Sequence, residues 1–381
     1  HSGPAISRRQ FMGSTLSMVL WASGSAPVRA DIASPQPKGQ QPVLMSAKPG
    51  LLHSGDTLKY GTAIWGYNGT APGPLLRIQQ GKELFVRLHN GLPQPTAIHW
   101  RGIRGPNAMD GVAGLTQEAV AAGAAFDYRF SPPDSGTFIY HAHPADHLGE
   151  QYMRGLSGML IVDEVLPPDV DADVPLVISD WLHGPDGKLA EPVFDPGLAA
   201  GPGRIGNLVL VNGRPAPGRQ VMRPGTRLRM RIANLSPARL IALAFSGAAP
   251  TVIFIDGQPC ESFQPDRNIL PAGPGARLDV ILDLPREAGK SLSITMLSWP
   301  LPDRKTPPPQ ALYAFVTGGK PVKPRDPVKS LPPNPLLPET IRLQDAQRLD
   351  LVLAASETKQ AAAGQFWAIN GRSARQARET P

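Results

Sequence analysis

Cys260 is the only thiol in the 381 residues. A lone cysteine excludes an intrachain disulfide framework and a thiolate metal cluster, and it reads most simply as a small, half-buried apolar residue. No long basic run with interleaved aromatics occurs, so the formal charge of +7 does not point to nucleic acid. Acids are missing from the first 30 residues, where Arg8, Arg9 and Arg29 sit. Without those three the positive excess is modest and is weak ground for an anionic partner. Histidine is missing after His183. No Ser-His-Asp constellation and no phosphate-cradling glycine motif is present.

Proline and glycine are plentiful, at 44 and 39 residues. Proline interrupts helices, and both residues punctuate short strands with turns. The length allows two or three domains, each large enough to bury a core. An all-β protein with many loops is expected.

The N-terminus reads Ser7-Arg8-Arg9-Gln10-Phe11-Met12, then a weakly apolar stretch from Gly13 to Ala26, then Val28-Arg29-Ala30. This is the layout of a twin-arginine export signal, cut after Ala30. The apolar stretch is too short and interrupted to anchor the chain in a bilayer. The expectation is therefore a periplasmic protein with residues 1–30 outside the fold and no membrane anchor after cleavage.

The chain then repeats a pattern. Pro72-Gly73-Pro74-Leu75-Leu76-Arg77-Ile78 is followed by Gly81 and by Leu84-Phe85-Val86-Arg87-Leu88-His89-Asn90. Val211-Asn212-Gly213-Arg214-Pro215 is followed by Pro224-Gly225 and by Leu228-Arg229-Met230-Arg231-Ile232-Ala233-Asn234. Tyr67-Asn68-Gly69 opens the first copy, and Ile369-Asn370-Gly371 opens what looks like a third, ten residues before the end. A repeat of this size implies tandem homologous domains. Alternation predicts strands: Leu228, Met230 and Ile232 on an apolar face, Arg227, Arg229 and Arg231 on a basic one. Ser157–Val162 and Leu278–Leu284 read as buried strands that close each domain. The expected architecture is tandem Greek-key β-sandwiches over 31–165 and 166–318. A proline-rich linker and an incomplete third domain are expected over 319–381.

Five histidines fall between His89 and His147. In a strand, residues two apart share a face, so His141 and His143 can present neighbouring imidazoles, which suits a metal. By themselves, two such histidines are as readily a solvated or hydrogen-bonded pair. His53, His89 and His183 are isolated and read as surface or hydrogen-bonded residues. His147 follows the pair in a loop, where contact with a metal is the less favoured reading. Asp110 is either a turn residue or a carboxylate behind the histidines, with the turn slightly favoured.

The surrounding motifs add weight. His99-Trp100-Arg101-Gly102-Ile103, Asn107-Ala108-Met109-Asp110-Gly111-Val112, Leu115-Thr116-Gln117, Gly136-Thr137-Phe138-Ile139-Tyr140-His141-Ala142-His143 and Gly155–Val162 occur in order. This series closely resembles the first domain of multicopper oxidases, the laccase-like enzymes. The resemblance continues more loosely through Asp256-Gly257-Gln258-Pro259 to about Leu284, and returns at Trp367–Gly371. It implies cupredoxin-like domains and an oxidase that couples copper-dependent substrate oxidation to reduction of oxygen to water. It also implies that His99 binds the type 2 copper, and His141 and His143 the type 3 pair, of a trinuclear cluster.

The sequence departs from the family twice. Arg101 stands where the family places a second histidine ligand, and arginine has no lone pair to offer and keeps its charge. The third domain, with its cysteine and remaining histidine ligands, is not expected in full, and Cys260 has no histidine near it in sequence. The resemblance thus leaves several readings open. One is an oxidase inactive as this chain. Another is a non-catalytic envelope scaffold, of the kind that supports cell division, with an envelope protein partner. A copper-holding module and a two-domain oxidase completed between subunits are the others.

Overall fold

Alternation of apolar and polar residues decides the architecture, and the Asn-Gly turns decide its register. In a computed structural model, the described residues are 41–52, 61–199, 201, 203–298, 307–328, 331–338, 340, 342–355 and 367–373. The expected export signal, residues 1–30, and His53 lie outside them. Among the described residues no helix is long and apolar enough to cross a membrane.

The first half holds β1 (Val43–Leu52), β2 (Thr62–Tyr67), β3 (Leu76–Gln79), β4 (Leu84–Asn90), β5 (Ile98–Arg101), β6 (Ala125–Phe130), β7 (Gly136–Ala142) and β8 (Ser157–Asp163). They form two four-stranded sheets, ordered β2-β1-β4-β6 and β3-β8-β7-β5. A short helix, α1 (Leu148–Met153), links β7 to β8. Between the sheets lie Trp100, Tyr128, Phe138 and Tyr140, all fully buried. Each such aromatic removes ~150–250 Å² from water, enough to dominate the packing.

The second half holds β9 (Ala172–Trp181), β10 (Leu208–Val211), β11 (Arg214–Pro215), β12 (Gly218–Met222), β13 (Arg227–Asn234), β14 (Ile241–Ser246) and β15 (Thr251–Ile255). It continues through β16 (Gln258–Phe263), β17 (Ile269–Ala272), β18 (Arg277–Asp283), β19 (Ser291–Ser298) and β20 (Gln310–Thr317). A seven-stranded sheet, β11-β10-β9-β13-β18-β15-β16, faces a five-stranded one, β12-β20-β19-β14-β17. The pairing logic repeats that of the first half. β1 runs parallel to β4 as β9 does to β13, and β3 runs parallel to β8 as β12 does to β20. The result is the all-β fold of two tandem Greek-key sandwiches.

The repeated asparagines have repeated jobs. Asn68, Asn212 and Asn370 all take positive φ, at 56°, 50° and 50°, each followed by a glycine also at positive φ. Each side chain accepts a bond from a backbone N–H on the neighbouring strand: Ser46, Val177 and Val352 respectively. The third copy is a small sheet of β21 (Leu353–Ala355), β22 (Trp367–Ile369) and β23 (Arg372–Ser373). The closing residues Asn90 and Asn234 are also equivalent. Each is buried and donates to two backbone carbonyls, one in the loop just after it (Gln94, Arg239) and one from a distant segment (Val120, Ala272).

The basic face of β13 is not a solvent face. Arg229 and Arg231 are each about 1% exposed. Their partners are Asp279 on β18, Asp173 on β9 and, from the end of the first sandwich, Glu164. Thr137 of β7 donates its hydroxyl to Asp279. Beside this polar seam, Ile139, Met159 and Ile161 pack on Val177, Ala233 and Leu235. The proline-rich run, read from sequence as a linker, is tied down where it is described. Arg325 pairs with Asp171 at 2.6 Å, and Asn334 bonds both Asp134 and Gln258.

Candidate metal centre

β5 and β7 are antiparallel neighbours, and their register sets His99 opposite His141. Trp100 and Tyr140, one residue along each strand, point into the first sandwich's core. His99 and His141 therefore share the opposite face, and His143 follows two residues beyond His141. The three rings converge. His99 lies 5.4 Å from His141 and 5.3 Å from His143 between centroids, and His141 lies 5.7 Å from His143.

Hydrogen bonds orient two of the rings. His99 Nδ1 lies 2.9 Å from the Asp110 carbonyl, and His141 Nδ1 lies 2.9 Å from the Ala142 carbonyl. A carbonyl only accepts, so each Nδ1 carries the proton. In the neutral ring Nε2 then keeps its lone pair for a metal. Asp110 reaches His99 because Gly111 lies flat against β5. Any Cβ at Gly111, at φ 81°, would overlap the Ile98 carbonyl. The Asp110 carboxylate also stands 3.5 Å from His99 Nδ1, so the residue is at once a turn element and a carboxylate behind the ring. Such carboxylates fix the orientation of ligating histidines.

Burial keeps two of the imidazoles neutral. It pushes His141 down to about 3, with further lowering from His99, His143 and Arg101. It lowers His143 as well, with His99 adding to the effect. His143 Nδ1 is enclosed and has no hydrogen-bond partner among the described residues. A buried ring nitrogen without a partner is uncommon and suits a ligand that completes it. Neutral imidazoles are good copper ligands. Among the described residues, however, no three His, Cys, Asp or Glu side chains surround one metal-sized point. The three rings therefore do not close around one ion.

The other candidate residues stand apart. His183 is buried against the Thr62 hydroxyl, 3.2 Å away, and His89 is exposed. His147 precedes α1, and no ring contact joins it to the cluster among the described residues. Cys260 lies half-buried on β16, where burial raises its thiol. Arg101 is on the histidine face but lies against the second sandwich. A Cβ on Gly275 would meet its guanidinium carbon at 2.5 Å. It contributes charge, not a lone pair, at the edge of the cluster.

Comparison with known proteins decides the family. Two multicopper oxidase family models match residues 55–166 and 172–295. The crystal structure of a multi-copper oxidase from Pseudomonas thermotolerans superimposes with a TM-score of 0.72 at 33% identity, over 82% of this chain and 71% of that one. The chain belongs to the multicopper oxidase family. A multicopper oxidase of Mycobacterium tuberculosis, MmcO, is 32% identical over 72% of this chain, and Laccase-2 of Botryotinia fuckeliana is 31% identical over 57%. The chain spans 61% of the first of these relatives and 39% of the second.

Sequence reasoning singled out the three histidines because their spacing and motifs are local. It missed Arg204, Ser236 and Tyr152. The Tyr152 ring meets His141 edge-on at 5.4 Å. No spacing rule links these three residues, which come from separate loops and a one-and-a-half-turn helix.

Proposed function

We propose that this chain supplies the first-sandwich share of a copper cluster in a periplasmic oxidase, whose full activity is copper-dependent oxidation of a substrate coupled to reduction of oxygen to water. The observation that carries the reading is the convergence of three imidazoles on paired strands, two with Nε2 left available. His99, His141 and His143 would hold copper. Asp110 orients His99, and the Ala142 carbonyl orients His141. Copper, when bound in this family, passes electrons from substrate to oxygen. Entry of those electrons calls for a copper held by thiolate and imidazole. Cys260 has no imidazole partner among the described residues, so the 381-residue polypeptide by itself is expected to show no turnover. Export to the periplasm rests on the twin-arginine layout of residues 7–30.

One observation favours a second reading, a non-catalytic envelope scaffold or a copper-holding module. Arg101 occupies a ligand position, and its cation opposes metal charge there. Titration calorimetry with Cu²⁺ at neutral pH separates the readings. The wild type is expected to bind copper, His141→Ala to lose it, and Arg101→His to bind at least tenfold more tightly. Equal affinity in all three would make the histidines vestigial and favour the scaffold. Oxygen consumption by the purified chain with a phenolic substrate would overturn the expectation of no turnover.

A further inference from the structure

Where the two sandwiches meet beside the histidines, a cavity of about 310 Å³ opens to solvent. That is within the size range of small-molecule sites. Two arginines line it, one from each sandwich: Arg101 at the end of β5 and Arg204 from the loop before β10. Arg204 is only 4% exposed, yet its Nε and one terminal nitrogen have no hydrogen-bond partner among the described residues. The Ser236 hydroxyl, also on the cavity wall, is fully buried and has no partner among the described residues. Arg101 has no carboxylate in ion-pairing range among the described residues.

An unpaired buried guanidinium is costly, by several kcal/mol after relaxation, and native proteins rarely leave several buried donors idle in one place. The nearby acids do not answer it. Asp180 is engaged through one oxygen with Arg239 at 2.9 Å and with the Gly206 N–H, and its other oxygen, though without a hydrogen-bond partner among the described residues, makes no bond to Arg204. Asp195, on the cavity wall, turns its Oδ1 back to the Gly197 and Leu198 N–H groups at the start of α2 (Pro196–Ala199). The rest of the wall is largely apolar, with Met153, Phe194, Leu198, Pro237 and Pro274. Guanidinium forks and a hydroxyl at one side of an apolar chamber match a molecule with a planar anion on a carbon skeleton.

We propose that this cavity is a binding site for a small organic carboxylate, held by Arg101 and Arg204 with Ser236 assisting. Arg101 is then at once the residue that departs from the metal-ligand pattern and half of an anion clamp. The clamp itself is formed by residues other than the three histidines, although His141 lines the same cavity.

Titration calorimetry on the copper-free full chain at low ionic strength tests it. Benzoate is the probe, with benzamide as neutral isostere and sulfate as inorganic anion. Benzoate is expected to bind at least tenfold more tightly than either control. Arg101→Gln and Arg204→Gln are each expected to weaken it at least tenfold. Arg101 is exposed, so its variant reads out even if the Arg204 variant folds poorly. No benzoate binding at millimolar concentration, equal binding of benzamide, or unchanged affinity in Arg101→Gln would overturn the proposal. Sulfate binding as tightly as benzoate would overturn the organic part of it and leave an inorganic-anion site.

Discussion

Two pairs of arginines lie where the sandwiches meet, and they are treated in opposite ways. Arg229 and Arg231 are enclosed by Asp279, Asp173 and Glu164. Burial works against the Arg229 charge, but Asp279 and Glu164 outweigh it and raise its pKa. Arg204 is similarly buried, and there burial wins: its pKa is lowered, with only the charge of Asp180 opposing. The first pair therefore behaves as a fastener between strands. The second behaves as a site whose partner is to come from outside. Burial alone does not tell Arg204 from Arg229; the count of satisfied donors does.

The largest expected effect breaks this comparison at its paired end. Asp279→Asn keeps the side-chain shape but removes the charge that Arg229 and Arg231 share. Breaking a buried pair costs ~3–5 kcal/mol, because the remaining cations stay buried. Arg204→Met should behave oppositely and be neutral or stabilising, since it removes a buried charge that no carboxylate bonds directly. Urea denaturation of the two variants checks both. A destabilisation by Arg204→Met as large as that of Asp279→Asn would show that Arg204 has a structural role, and the distinction would fail.

Acid should act on the paired cluster. Burial tends to raise the Asp173 carboxyl, but its bond to Arg231 and the charges of Arg231, Arg229 and Arg77 prevail and hold it below its ordinary value. A depressed folded pKa adds stability that is fully present above the unfolded value of ~3.9 and is lost as pH falls through the folded one. Thermal melts at descending pH should show a drop beginning below about pH 4. In Asp173→Asn the melting temperature is lower at neutral pH and that part of the acid drop is missing. An unchanged acid limb in the variant would remove Asp173 from the account.

The fold was legible in the sequence wherever the information was local. Alternation located β4 and β13, a buried apolar run located β18, and the Asn-Gly repeats located equivalent hairpins, because only a residue tolerant of positive φ followed by glycine makes those turns. The histidine face was legible for the same reason, since a two-residue period fixes which side chains share a side. What the basic face of β13 would meet was not legible. Its partners Glu164 and Asp279 lie 65 and 50 residues away in sequence. The cavity was still less accessible. Arg204 and Ser236 stand in loops with no periodicity, and only the meeting of two sandwiches makes them neighbours.

The smallest expected effect isolates burial from pairing. Arg77 and Arg231 share a carboxylate: both reach Asp173 at 2.8 Å. Arg77 also makes a two-pronged bond to Asp163, at 2.7 and 2.8 Å. By bond count Arg77, with three, is nearly as well paired as Arg231, with four. Its side chain, however, is 43% exposed, against 1% for Arg231. Water competes for an exposed pair, dissolved ions screen it, and two long side chains must be ordered to keep it. Arg77→Gln should therefore cost about 1 kcal/mol or less, and the cost should shrink as salt is raised from ~10 mM to ~1 M. Arg231→Gln should cost several times more and respond weakly to salt, because the carboxylates it leaves are sheltered from ions. Equal costs with equal salt dependence would mean that bond geometry, not burial, sets the strength of this seam.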